Sequence, residues 1–216
     1  MSTFKLHYFD ARGVAETVRY VFAVSKTEYE DFRYPLTFGT PGDFSTISRP
    51  EFDAAKADGT LAASLDRLPM LECDGAKIGQ SKTIERVVAK KVGMMGEGFP
   101  EAAMVDAMCE NVRDCKQDYQ TAKKDGEETL AAFFSEKMPA FMKKIELTAG
   151  DGSWLVGDKV SLADASFYVF IKEFFDNKDG AWAATEGCAK IRASVEAFGA
   201  NEEVQAWQKK RADTAF

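Results

Sequence analysis

Three short runs in this chain could do chemistry together: Lys5-Leu6-His7-Tyr8-Phe9, Arg67-Leu68-Pro69-Met70-Leu71 and Gly79-Gln80-Ser81-Lys82. The first supplies a phenol, Tyr8. The second supplies an extended backbone beside Pro69, whose peptide bond to Leu68 could be cis. The third supplies an amide and a hydroxyl where a helix opens, and N–H groups there attract a carboxylate. These groups suffice to grip a small peptide by a negatively charged end and to stabilise a thiolate. A free thiol titrates near about 8.5, so at neutral pH most of it is unreactive. A phenol donating a hydrogen bond to sulfur favours the ionised form, because a charged acceptor gains more than a neutral one. The thiolate is then the nucleophile, and Tyr8 itself never has to ionise.

The elements that position these groups follow from local pattern. Phe4 to Tyr8 alternates apolar and polar residues, a strand signal. Val14, Val18, Val21 and Phe22 step at helical spacing through Val24, after a turn at Arg12-Gly13. Tyr29 to Tyr34 is a second strand, and Thr37 to Asp43 is loop chemistry, including Pro41 and Gly42. Pro50 to Ala57 predicts a short helix stopped by Asp58-Gly59. Met70 to Cys73 and Ala76 to Ile78 predict a hairpin about Asp74-Gly75. Ser81 is expected to cap a helix over Lys82 to Lys91 that ends at Gly93. The order β-α-β-α-β-β-α predicts a thioredoxin-like α/β domain over 1–92.

Residues 93–99 have linker composition, and 100–216 predicts an all-helical domain. Val105, Met108, Val112, Cys115 and Tyr119 mark one long amphipathic helix. Asp106, Cys109, Glu110 and Arg113 lie off that stripe. Leu130, Phe134, Met138, Phe141 and Ile145 mark a second helix that Pro139 should kink. Leu162 to Phe175 is apolar nearly all round and predicts a buried central helix. Ser161 and Asp164 predict a capping box at its start. Two more helices are expected near Cys188–Ala197 and Glu202–Arg211.

Composition narrows the function. The chain has 216 residues, 45% hydrophobic and 29% charged, with a net charge of −7. That acidity argues against nucleic-acid and anionic-membrane partners. No apolar run is long enough to span a bilayer, and the start carries no signal-peptide core, so a cytoplasmic location is expected. Four cysteines show no CxxC and no metal-ligand spacing. Cys109 and Cys115 would point roughly 240° apart on one helix, and thiols in a reducing compartment are expected. His7 is the only histidine, which disfavours His-rich metal sites and triad hydrolases.

These runs resemble the cytosolic glutathione transferases, most closely the sigma class, over essentially the whole chain. The resemblance implies glutathione as co-substrate, with no metal or organic prosthetic group, and a homodimer. It implies that Tyr8 activates the glutathione sulfur and that Leu68-Pro69 presents its backbone to the cysteinyl part. Gln80 and Ser81 would bind the γ-glutamyl end, and Asp106 would reach the partner subunit's site. Phe52 and Lys56 are spaced like the Trp and Lys that contact the glycine carboxylate. The segment from Lys56 to Pro69 is longer than is usual. Phe9, Arg12, Val14, Cys109 and Arg113 would line the site for a hydrophobic electrophile. Val14 stands where sigma-class sequences often carry arginine, and Arg12 is the candidate replacement. The implied activity is conjugation of the detoxification type, with peroxidase activity as an extension. A prostaglandin D synthase-type isomerase and a crystallin-like, non-catalytic protein are the alternatives.

Overall fold

The computed structural model describes residues 2–40 and 43–214, with Phe44 described in its backbone only. Pro41 and Gly42 of the expected loop, and Ala215 and Phe216 of the tail, lie outside the described residues. The chain divides into two compact units. Residues up to Val88 together with those from Lys210 onward form one, and Ala89–Lys209 form the other.

The first unit holds β1 (Phe4–Phe9), α1 (Glu16–Val24), β2 (Glu30–Tyr34), β3 (Thr37–Phe38), β4 (Ile47–Ser48), α2 (Pro50–Ala57), β5 (Met70–Cys73), β6 (Ala76–Gly79) and, to Val88, α3 (Ser81–Lys91). Its main sheet has the order β2-β1-β5-β6. β1 runs parallel to β2 and antiparallel to β5, and β5 pairs antiparallel with β6. This is the thioredoxin-like arrangement. One sheet face carries a core of Tyr34, Phe52, Ala55, Leu61 and Met70, against which Phe9, Phe32 and Leu68 pack. Helices α1 and α3 bury Val18, Val21, Phe22, Ile84 and Val88. Strands β3 and β4 form a separate two-stranded sheet where loop was expected. Two residues are too few to show a period of two.

The second unit is all-helical. It contains α4 (Gly98–Asp125), α5 (Glu127–Ala132), α6 (Met138–Thr148), α7 (Leu162–Lys172), α8 (Lys178–Ala183), α9 (Ala189–Ala200) and nearly all of α10 (Glu202–Lys210). Gly98 already belongs to α4, so the expected linker is shorter by its last two residues. Where a kink was expected, a π-helical turn, Phe133–Lys137, ends two residues before Pro139. Proline brings no N–H to the carbonyl four residues back, and the wide turn accommodates that loss. Phe133 and Phe134 pack there on Tyr119 and Phe175; the Tyr119 and Phe175 rings meet edge-on at 4.8 Å. All four cysteines are buried thiols, none in a disulfide.

Helix α7 is the centre of this unit, packing on α4 and α9. Every residue from Leu162 to Ile171 is buried. Such a helix has no water to satisfy its first N–H groups, and the side chains of Ser161 and Asp164 do so instead. Asp164 accepts from the Ser161 amide at 2.8 Å, the Ser161 hydroxyl at 2.9 Å, the Leu155 amide at 2.8 Å and the Ser194 hydroxyl at 2.7 Å. Burial pushes its carboxyl above the usual range, and these donors pull it partly back. Asp164→Ala is expected to lower the unfolding free energy by about 3 kcal/mol, because four buried donors lose their acceptor. Ser194→Ala, which removes one donor, should cost about 1 kcal/mol. Denaturant titration measures both, and equal losses would contradict this account.

Candidate functional site

The pairing of strands brings the three candidate runs into one row. His7 is opposite Met70, and Met70 is opposite Gly79. One residue further along each strand, the row continues as Tyr8, Pro69 and Gln80. Two strand spacings separate its ends, about 10 Å in all. A fully extended tripeptide spans a similar length, about 10 Å. The Leu68–Pro69 peptide is cis. Gln80 has a left-handed backbone with φ 72°, and helix α3 begins at Ser81 itself, so Gln80 rather than Ser81 is the flanking residue. Its carbonyl accepts from the Ile84 amide at 2.9 Å. The N-terminus of α3 thus opens at one end of the row.

Tyr8 is buried to 9% exposure. Its hydroxyl oxygen accepts from the Val14 amide at 3.2 Å. That amide lies in a single turn of 3-10 helix, Gly13–Ala15, which brings the chain back over the end of β1. Burial pushes the phenol above the usual tyrosine range, while the Val14 amide and the Arg19 guanidinium oppose the rise. The group therefore keeps its proton at neutral pH. With its oxygen already accepting from Val14, that proton can be donated to a ligand. Gly13 has φ +44°, and a side chain there would fall on the Tyr8 hydroxyl. The sequence carries glycine because the phenol occupies the space.

Val14 contributes this amide, while its side chain is 52% exposed. Arg12, the candidate replacement, donates from its Nη2 to the Thr214 carbonyl at 3.0 Å. The cation that approaches the phenol is Arg19, 5.7 Å from the ring centre and fully buried. Arg19 escaped the sequence reading because it sits among apolar residues of α1. Its one local signal is the Glu16-Arg19 spacing, which pairs opposite charges on one helix face.

Beside Leu68 lies a cleft of about 530 Å³. Phe9, Phe52 and Leu68 line it together with three cations, Arg49, Lys56 and Arg67, and the acidic Asp66. Phe52 is itself buried, and its ring is a surface for the cations, with Arg49 at 5.0 Å and Lys56 at 5.7 Å from its centre. Phe9, expected at the site for a hydrophobic electrophile, packs on Phe52 at 5.0 Å and lines this cleft too. Arg49 and Arg67 are additions to the predicted set. The long segment after Lys56 delivers Arg67. It closes with two left-handed residues, Leu65 and Asp66, and the buried Ser64 hydroxyl bridges the carbonyls of Leu61 and Arg67 at 2.9 and 2.7 Å.

His7 points to the other side of the strand from Tyr8. Its Nε2 meets Glu72 at 2.9 Å, and burial holds its pKa below the usual histidine value against the pull of Glu72. In the second unit Cys109 is fully buried, which corrects its expected place beside a cleft. It lies four residues after Val105 and three before Val112, in the same apolar stripe of α4. Arg113 is exposed and pairs with Glu110 at 2.9 Å and Asp114 at 3.3 Å. Asp106 is half-buried on the same helix. Among the described residues, no three His, Cys, Asp or Glu side chains converge where a metal ion could sit. No helix among them is long and apolar enough to cross a membrane.

Residues 112–211 match a family model described as glutathione S-transferase, C-terminal domain. Over 219 aligned residues the chain is 31% identical to a hematopoietic prostaglandin D synthase of Gallus gallus, covering 100% of both. It is 28% identical to glutathione S-transferase S1 of Drosophila melanogaster, covering 97% of this chain and 79% of that protein. Among solved structures, a monomeric glutathione S-transferase of the hookworm Necator americanus superposes with a TM-score of 0.78 at 26% identity. That match covers 99% of this chain and 100% of the other.

Gly13→Ala isolates the packing of Tyr8. On the expectation that Tyr8 acts on a thiol, the substitution displaces the phenol and lowers thiol-transfer turnover by about tenfold or more, since misplaced groups cost rate steeply. Gly59→Ala is the control, because Gly59 has a positive φ of 82° but nothing within 4 Å of a new side chain. It should lose about 1 kcal/mol of stability and keep its turnover. Steady-state rates with thermal melts separate the two effects.

Proposed function

The chain belongs to the glutathione S-transferase family, and from that premise we propose that Tyr8 holds the sulfur of bound glutathione as a thiolate for attack on a hydrophobic electrophile. The observation that carries this reading is the hydrogen bond from the Val14 amide to the Tyr8 oxygen. It orients the phenol and leaves its proton for sulfur. The thiolate forms a bond to an electrophilic carbon, and the leaving group departs with its electron pair. With an unsaturated carbonyl, a proton adds instead. The tripeptide lies along the row from Tyr8 past the cis Leu68–Pro69 step to Gln80 and Ser81, where the γ-glutamyl end meets the N-terminus of α3. The glycine carboxylate meets Lys56 and Arg67.

The enzyme is sigma-like, cytoplasmic and of the detoxification type, and conjugation is accompanied by peroxidase activity. It works as a homodimer in which Asp106 meets the γ-glutamyl amine bound by the partner subunit. A second reading is favoured by the 31% identity to a hematopoietic prostaglandin D synthase. In that case the thiolate opens an endoperoxide, and turnover of an endoperoxide against aryl halides and unsaturated aldehydes discriminates the two. A purely structural, crystallin-like role is disfavoured by the built donor at Tyr8, which such a protein would not require.

Tyr8→Phe is expected to lower turnover at neutral pH by about 10- to 100-fold, the worth of one charge-assisted hydrogen bond. Glutathione affinity should change little, and the pH–rate profile should move to higher pH, because the bound thiol loses the donor that favoured its ionisation. Unchanged turnover and an unmoved profile would remove Tyr8 from the mechanism. Lys56→Ala with Arg67→Ala should act the other way, raising KM for glutathione about tenfold or more with kcat nearly intact. Those cations hold the carboxylate equally in ground and transition states. A glutathione analogue lacking the glycine carboxylate should bind the parent and the double variant alike.

A further inference from the structure

Arg19 is fully buried and sits between the Tyr8 loop and the C-terminal segment. Its Nη1 donates to the Ala11 carbonyl at 2.6 Å, and the Arg12 carbonyl lies at 3.5 Å. These carbonyls belong to the loop that ends in the Val14 amide. The same Nη1 also meets Glu16 Oε2, at the longer distance of 3.3 Å. The other oxygen of Glu16, itself only 2% exposed, accepts from Arg211 Nη1 at 2.7 Å. Arg211 also donates to the Tyr20 hydroxyl at 3.0 Å, and Arg12 holds the Thr214 carbonyl. The segment after α10 is thereby tied to both sides of the turn that bears Val14.

We propose that Arg211, Glu16 and Arg19 form a positioning relay through which the C-terminal segment sets how well Tyr8 holds the thiolate. The physical basis is competition for one nitrogen. Glu16 and the loop carbonyls share Arg19 Nη1, and Arg211 keeps Glu16 drawn toward itself, leaving the short bond to Ala11. Without Arg211, Glu16 turns toward Arg19, the other guanidinium it already meets at 3.3 Å. The grip on Ala11 and Arg12 then loosens, and with it the aim of the Val14 amide at the phenol oxygen. None of the three side chains touches the reacting sulfur in this scheme. The relay rests on the reading of Tyr8 as the donor to sulfur.

The test is a pH titration of the thiolate absorbance of enzyme-bound glutathione, run with kcat and glutathione affinity. Arg211→Met is the primary variant, since substitution of the buried Arg19 risks the fold. It is expected to raise the apparent pKa of the bound thiol by about half a unit to one unit. Turnover at neutral pH should fall about three- to tenfold, with affinity within about twofold of the parent. Arg211→Lys should recover most of the loss. In a Glu16→Gln background, Arg211→Met should have no further effect, because the competitor is gone; additive losses would overturn the relay. A folded Arg211→Met protein with the parent titration curve would overturn it also. Tyr8→Phe is the reference: if it shifts the titration and Arg211→Met does not, the relay alone fails. If Tyr8→Phe leaves the curve unmoved, the Tyr8 reading fails and the relay with it.

Discussion

The register between β1, β5 and β6 is the constraint on which the rest of this site depends. Side chains alternate along a strand, so a slip of one residue would send every buried group of β1 to the opposite face. Leu6 and Tyr8 would exchange sides with His7 and Phe9, and both cores would be lost. The pairing of His7 with Met70 and of Met70 with Gly79 is therefore fixed by hydrophobic burial. Placement of a phenol, a proline and a helix N-terminus in one row comes as a consequence. Packing that stabilises the fold is the same packing that measures out a tripeptide-sized span.

A second constraint is electrostatic. Burying a guanidinium is costly unless its donors are met, and Arg19 meets that requirement with Asp31, Glu16 and two main-chain carbonyls. Asp31 is shared with Arg33, whose Nη2 lies at 2.8 Å, and Arg33 reaches Asp10 at 3.0 Å. The chain of charges runs from β2 through α1 to the loop after β1. It takes polar groups from the two ends of the β1–α1 connection and makes their spacing rigid. A short turn such as Gly13–Ala15 has few bonds of its own, and here it borrows order from the charge below it.

Much of the fold was legible because its signals are local. The hairpin of β5 and β6 announces itself through Asp74-Gly75, α7 through Ser161 and Asp164, and α2 through Pro50. Strands β3 and β4 were hidden by their length. Helix α8 was hidden by Gly180, whose amide is held by the Asn177 side chain at 2.9 Å rather than by a long apolar pattern. At the site, Tyr8, the cis Leu68–Pro69 step and Gln80 were visible as motif residues. Arg49 and Arg67 were not, because they reach one cleft from separate segments, 18 residues apart in the chain. Cys109 lies within about 60° of Val105 and Val112 on α4, and its polar neighbours Asp106, Glu110 and Arg113 hid that it belongs to their stripe. Arg211 and Glu16 stand far apart in the chain, and no local pattern reports a contact of that kind.

The buried cysteines have a consequence for how such a protein survives its own chemistry. Burial pushes the Cys115 thiol up to about 12 and raises Cys188 as well. At neutral pH, a thiol of that acidity is ionised in roughly one molecule in 10⁵. Alkylating agents react with thiolates, and they must also reach them. A protein whose proposed work is to bring such agents beside an activated sulfur thus keeps its own four sulfurs enclosed, and Cys115 and Cys188 harder to ionise as well. Selective labelling follows from the same fact. In the folded chain the bound co-substrate would be the thiol that reacts, and cysteine alkylation would report unfolding instead of inhibition.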